Sequence, residues 1–427
     1  MNLGNKIRQI RLAKELSQEN LANDIGSSTS TINRIERGTI ECDHQTLMAI
    51  RKALGIEYVP LFDDERELYK SRLFMWYDLI CSERLEEAKR MGNELETINF
   101  LPFEQDLQTL FALFEARLLL EDNSFKEAEE KLSSLRCPQE EMSPLNLYHY
   151  LFCKGLLNYK LGNDETALNF LLKALNTDEG ATSKQNILYY YISLCFSKLG
   201  KYFHSIIYAE LKSGKDGESS TKSLDLYLNN TLAVNYLQIG ELLMAKKLLD
   251  ICIKQARVLK NEIFIGKVIH NMGCVKMCEK KWQEAIEYLD QAFMYFKKGS
   301  YQYLENQYQK LYSITMDVGV IKAKRDTVFF KTLLESEALA IAEKSERFEI
   351  LYKSLQHIMT LKVQASYEYI TNVTIPYLVR TFDNYEALNY CELLKEHYQK
   401  MRNPRKSLMV SATIGEIYRN MVKWEAK

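Results

Sequence analysis

The sequence predicts an all-α protein in two parts: a small N-terminal module of four or five helices, then a long right-handed solenoid of helix pairs. Three observations lead there. Among 427 residues only 17 are glycine and 6 proline, and apolar residues recur at intervals of three and four almost to the end. Residues 17–38 read as two short helices joined by a turn. Small residues return every 38 to 40 positions from Ala88 to Ala285.

In the first helix Leu3, Ile7 and Ile10 face inward, and Lys6, Arg8, Arg11 and Lys14 face outward. Ser17 caps the second helix, Gln18 and Glu19 fill its first turn, and Gly26 ends it. The third repeats that plan, with Ser28 as cap, Ile32 and Ile35 buried and Gly38 as stop. Thr29, Ser30, Asn33 and Arg34 are left outward, and a closing helix forms around Leu47, Ile50, Ala53 and Leu54. Such a helix suits the DNA major groove: Arg34 can fork onto guanine, Asn33 can pair with adenine, and Thr29 and Ser30 can reach either base type or a thymine methyl. Residues 1–38 hold six basic and four acidic side chains, a net +2. One module of that charge binds DNA weakly, so a homodimer on a palindromic site, with half-sites about 34 Å apart, is expected.

The Ser-Gln that opens helix 2 and the Ile-Glu-Arg-Gly that ends helix 3 resemble the helix-turn-helix of phage-repressor-like DNA-binding proteins. The resemblance implies that Gln18 holds a phosphate and that Glu36 pairs with Arg11. The expected DNA-binding set is Arg11, Gln18, Thr29, Ser30, Asn33, Arg34 and Arg37.

The module is expected to span residues 1–58, with an acidic, Pro60-containing linker over 59–72 and the array over 73–427. Small residues open a second helix at Ala88, Ala128, Ala167, Ser205, Ala245 and Ala285. Twelve positions before each lie Trp76, Ala116, Gly155, Ser193, Ala233 and Gly273, all small but the first. Two antiparallel helices need that spacing where they cross closely. The pattern is similar to the tetratricopeptide repeat, most clearly at Gly155, Tyr159, Ala167, Leu171 and Ala174 and again at Gly273, Ala285, Leu289 and Ala292. Register is lost after about residue 297 and returns near Ile375 and Ala387. Pro376 must lie in the first turn of its helix or kink it. Residues 405–427 read as a terminal capping helix with a polar outer face.

The first helices of such pairs line one face. His149 and Phe152 are expected on it, and so are Tyr190, Tyr227, Asn230, Lys267, His270, Asn271 and Asn372, the last seven as peptide-binding residues. Asparagine amides can pair with the N–H and C=O of an extended chain, tyrosines offer apolar area, and Lys267 can meet a terminal carboxylate. His270, Cys274 and Cys278 share a helical face, but with no fourth ligand nearby a metal site is not expected. Nine cysteines without a C-x-x-C pair read as reduced and mostly buried. Phosphate-loop, zinc-protease and serine-elbow motifs are lacking, so neither enzyme activity nor a cofactor is expected. A net charge of −1 argues against a nucleic-acid coat, and the lack of a leader or a membrane-length apolar run points to the cytoplasm.

The combination resembles the RRNPP group of peptide-pheromone receptors, in which Asn-x-Gly and Asn-x-x-Ala elements are matched here by Asn271-Met272-Gly273 and Asn230-Thr231-Leu232-Ala233. It implies a transcriptional regulator controlled by a short signalling peptide on the array. The alternative is an array that binds a partner protein, a response regulator or an anti-repressor.

Overall fold

The computed structural model describes residues 2–56, 61–96, 104–135, 137–177, 186–213, 222–319, 323, 325–359 and 363–422. Every regular element among them is helical. They fall into two compact units, residues 1–182 and 183–427.

The first unit opens with α1 (Leu3–Ala13), α2 (Gln18–Asp24), α3 (Thr29–Glu36) and α4 (His44–Ala53). Each begins on a side chain that accepts from an otherwise unpaired backbone N–H: Asn2, Ser17, Ser28 and Asp43. The chain leaves α2 and α3 through Gly26 and Gly38, both at φ +67°, a conformation that costs other residues steric strain. Ile7, Ile10, Leu21, Ile32, Ile35, Leu47 and Ile50 form the core, which Leu61 helps to close. The module therefore runs past residue 58.

Most of the expected linker is helix. α5 (Asp63–Cys81) starts with Asp63, Asp64 and Glu65, which suit the positive end of a helix dipole. Glu65 accepts from the Leu61 N–H at 2.8 Å and from Arg51 at 2.7 Å, and Lys6 donates to the Leu61 carbonyl at 2.6 Å. Charge and capping thus tie this helix to the module. Pro60 lies outside the described residues.

Helix pairs follow: α5 with α6 (Leu85–Leu95), α7 (Gln105–Glu121) with α8 (Phe125–Ser133), and α9 (Pro144–Lys160) with α10 (Asp164–Leu175). The twelve-residue spacing marks where the partners cross. A Cβ on Gly155 would lie 2.7 Å from the Leu171 side chain and 3.3 Å from the Ala167 carbonyl. Trp76, the large exception, donates its indole N–H to the Ala88 carbonyl at 2.8 Å. Gly92 makes room for it, since a Cβ there would stand 3.0 Å from the indole ring.

The second unit holds α11 (Asn186–Lys198) with α12 (Tyr202–Ser213), α13 (Lys222–Gln238) with α14 (Leu242–Val258), α15 (Glu262–Cys278) with α16 (Trp282–Ala292), and α17 (Tyr301–Val318). Ser193 and Ser205 meet hydroxyl to hydroxyl at 2.8 Å, and the Asn235 amide donates to Ser205 at 2.7 Å. Where sequence register fails, helices continue as α18 (Thr327–Ala342), α19 (Glu346–Met359), α20 (Val363–Tyr369), a π turn (Ile370–Thr374), α21 (Ile375–Arg380), α22 (Asn384–Lys400) and α23 (Pro404–Val422). Pro376 sits in the first turn of α21, directly after the π turn in which the Ile375 N–H reaches back to the Ile370 carbonyl. That wider turn accommodates the ring. The outer face of α23 is less polar than expected, since Leu408 and Met409 stand exposed beside Arg405 and Lys406.

The first pair of this unit touches its last helices. Tyr202 donates to the Phe382 carbonyl at 3.3 Å, Lys201 donates to the Asn420 carbonyl, and Gly200, at φ +68°, leaves room for Asn384.

Replacing Gly155 by valine forces the α9–α10 crossing apart and is expected to cost about 1–3 kcal/mol. The check is a lower urea midpoint at unchanged slope by circular dichroism; an unchanged midpoint would show that the crossing is not tight.

Candidate functional site

In the N-terminal module one buried chain of polar contacts sets the outward face. Arg11 donates to both oxygens of Glu36, at 2.7 and 3.0 Å, and to the Leu16 carbonyl at 2.6 Å. The Gln18 amide donates to Glu36 at 2.7 Å, and Asn33 donates to the Gln18 carbonyl oxygen at 3.1 Å. Arg11 is 5% exposed and all three of its nitrogens are used inside the module, which corrects its placement among the DNA-contacting residues. It is a positioning residue, and with Glu36 it fixes how Gln18 and Asn33 are presented. Gln18 and Asn33 are half-buried, while Thr29, Ser30, Arg34 and Arg37 are exposed. The carbonyl oxygen of Asn33 stays available to accept from a base edge while its amide is held by Gln18.

The second candidate face lies on α11, α13 and α15, consecutive first helices that contact one another. Half-buried residues run along α11 at Ile187, Tyr190, Leu194 and Ser197, and along α13 at Tyr227, Asn230 and Val234. That spacing of three and four is one helical face. Asn271 donates to the Asn230 carbonyl oxygen at 3.1 Å, which joins α15 to α13. The pair leaves the Asn230 amide as a donor and the Asn271 oxygen as an acceptor, side by side.

Tyr190 stacks on Tyr227 at 6.2 Å between centroids, and Tyr227 leans on Phe264 at 5.3 Å. These rings recur every 37 residues, whereas the crossing positions on their helices recur every 40. The row of rings therefore steps back about one helical turn per pair and runs diagonally across the face. Phe264 itself is a ring that the sequence reading missed. The signal was present in its 37-residue step from Tyr227, but the register tied to Gly273 concealed it.

Three other expectations fare differently. His270 is taken up internally: Asn306 donates its amide to the Leu289 carbonyl, so its oxygen accepts from His270 Nδ1 at 2.9 Å, and His270 Nε2 faces the Cys274 thiol at 3.5 Å. Burial holds the imidazole below its ordinary range and so neutral near pH 7. Among the described residues no group of three or more His, Cys, Asp or Glu is arranged to hold a metal, His270, Cys274 and Cys278 included. Asn372 is exposed in the π turn, and among the described residues no hydrogen bond joins it to the Asn230–Asn271 pair. His149 and Phe152 are buried in the first unit, His149 packing edge-on to Tyr77 and Phe114.

The structure adds an acidic network that sequence spacing did not disclose, built from helices beyond the loss of register. Arg347 of α19 donates to Asp383 at 2.8 Å and also pairs with Glu305 of α17. Gln309 bridges Glu305 and Glu386 through one amide nitrogen, at 3.1 and 2.6 Å. Two carboxylates thus share one guanidinium, and a third, Glu386, is joined to them through Gln309. Burial, with Asp383 close by, pushes the Glu386 carboxyl up to about 8. Burial also raises Asp383, while Glu305, beside Arg347, sits below the usual range.

Comparison with known proteins follows the same division. Residues 7–61 match the helix-turn-helix family. The chain is 23% identical over 390 residues to the transcriptional activator NprA of Geobacillus stearothermophilus, spanning 87% of this chain and 93% of that protein. Its fold is similar to a Rap protein complexed with competence and sporulation factor, at 15% identity, 83% and 99% coverage and a TM-score of 0.66. It is also similar to NprR in complex with its cognate peptide NprX, at 19% identity, 82% and 99% coverage and a TM-score of 0.62.

Two outcomes follow from the buried charges. Glu36→Gln leaves Arg11 buried without its counter-charge and is expected to destabilise the module by about 3–5 kcal/mol, read from thermal melts. Glu386 binds its proton more tightly folded, at about 8, than in an unfolded chain, at about 4.5. Its stabilising effect is therefore complete at low pH and is lost as pH rises through 8, with a slope of at most about 1.4 kcal/mol per pH unit. His270 acts in the opposite sense, but only below its ordinary range. Denaturant titrations from pH 7 to 8.5 should show stability falling, and Glu386→Gln should flatten the decline; an equal slope in both proteins would contradict this assignment.

Proposed function

We propose that this chain is a transcriptional regulator of the RRNPP group, that it binds a palindromic operator as a homodimer, and that it is controlled in the cytoplasm by a short signalling peptide lying across α11, α13 and α15. Thr29, Ser30, Asn33, Arg34 and Arg37 read and grip the DNA, and Gln18 holds a phosphate. The single observation that carries the peptide reading is the Asn230–Asn271 pair, which links two successive first helices and still offers one donor and one acceptor to the main chain of a ligand. The fold likeness to NprR, solved with a peptide, and the sequence likeness to an activator support it. Peptide binding alters how adjacent pairs pack, and through the array the spacing of two DNA-binding modules. The helix-turn-helix itself carries too little positive charge to bind tightly alone.

The test is a double dissociation with the purified full chain. From a pool of random DNA duplexes the wild type should enrich a two-fold-symmetric sequence. Arg34→Ala should weaken binding to it about 5- to 150-fold, with unchanged melting. Asn230→Ala should bind that DNA normally but no longer respond to peptides. Enrichment of an asymmetric site by a monomer would remove the dimer mechanism; a response surviving Asn230→Ala would point instead to a helix of a partner protein, whose backbone is already satisfied.

A further inference from the structure

We propose that Lys267 is the receptor for a carboxylate of the ligand, so that the peptide this face accepts is anchored by an acidic group beside the Asn230–Asn271 pair. This rests on the peptide-binding reading and specifies the chemistry of its ligand.

Lys267 lies on α15, one turn after Phe264 and one turn before Asn271. It is half-buried, with its ammonium 5.7 Å from the centre of the Phe264 ring. An aromatic ring, Phe264 with Tyr227 against it, therefore lies beside it, and Asn271, paired with Asn230, follows one turn later on the same helix. Burial lowers its affinity for a proton, the signature of an ammonium withdrawn from water.

Among the described residues no carboxylate is within ion-pairing distance of Lys267. The lysines that do find carboxylates show what is lacking: Lys276, on the same helix, sits 2.6 Å from Glu284, and Lys310 pairs with Asp290. Glu305, on the next first-type helix, is held by Arg347, which also binds Asp383.

Withdrawing a charge from water without a partner is costly, and a ligand carboxylate repays that cost on binding. The same arrangement discriminates. A carboxylate accepts from Lys267, and a peptide unit next to it meets the free amide of Asn230 and the free oxygen of Asn271. A basic group placed there meets a like charge. The half-buried rings of Tyr227 and Tyr190, backed by the buried Phe264, then offer apolar surface to the neighbouring ligand side chains. Two groups of a peptide supply this chemistry, its C-terminal carboxylate and the side chain of Asp or Glu.

The experiment equilibrates the full-length protein with synthetic random heptapeptides in four pools, with free or amidated C-termini, each with or without Asp and Glu. Retained peptides are identified by mass spectrometry and the best one is resynthesised for calorimetry. Retention is expected only in pools that keep a carboxylate. Loss on amidation names the C-terminus; loss on replacing Asp or Glu by Asn or Gln names a side chain. For the best peptide Lys267→Met should weaken binding about 10- to 100-fold, Lys267→Arg should retain most of it, and neutralising the peptide's carboxylate should cost Lys267→Met nothing further. Pools without any carboxylate retained as well as the others would overturn the inference and leave the peptide reading standing, as would equal affinity in Lys267→Met. No retention from any pool would overturn both. The peptide-side changes are made on the wild type, so the answer does not depend on how the variants fold.

Discussion

Two helices can approach closely only where a side chain at their crossing is small, and in this chain that condition recurs at intervals of 38 to 40 residues. Each pair meets it differently. Gly155 and Gly273 let a leucine from the partner helix rest on the backbone, Ser193 and Ser205 close the gap with hydrogen bonds, and Trp76 shifts the need for a small residue onto Gly92. Everything on the inner face depends on these contacts. With the partner helices held behind them, α11, α13 and α15 lie close enough for Tyr190, Tyr227 and Phe264 to form one row and for Asn271 to reach Asn230.

The same logic explains what could be read from residues alone. Caps, glycine stops and paired small residues act within a few turns of chain, so the helix-turn-helix and the pairs from α9 to α16 were legible. Asn230 falls on a lining position of that register and Asn271 one step to its side, so both could be picked out, but their contact with each other could not. Arg11 was read both as a partner of Glu36 and as a DNA contact; burial leaves only the first. Phe264 and the Glu305–Arg347–Asp383–Glu386 network were not legible. They are joined by proximity across helices whose spacing is irregular, and only the folded chain brings residues 305, 347 and 383 to one point. The acidic stretch after Pro60 reads as a linker, yet acids placed first in a helix are also a favourable N-terminus, and Glu65 closes on Arg51.

Polar groups in the two halves serve opposite ends. In the helix-turn-helix the Arg11–Glu36 pair is satisfied fully and fixes the side chains next to it, so the outward face of α2 and α3 is set within the module itself. Around Arg347 carboxylates outnumber cations, and at Lys267 a cation stands without a carboxylate among the described residues. Such sites cost the free protein stability and gain from a change of occupancy or protonation.

The contacts of Gly200, Lys201 and Tyr202 with Phe382, Asn384 and Asn420 give the second unit a mechanical property that an open row of hinged pairs lacks. With free ends, a change at one hinge simply swings the remainder. With ends fastened, a rotation at one hinge must be matched by counter-rotations at the others or by release of the clasp, so a small local change is either shared around the whole hoop or converted into a single opening. The few hydrogen bonds at the clasp are then what a distortion of the row must strain or break before its ends can part.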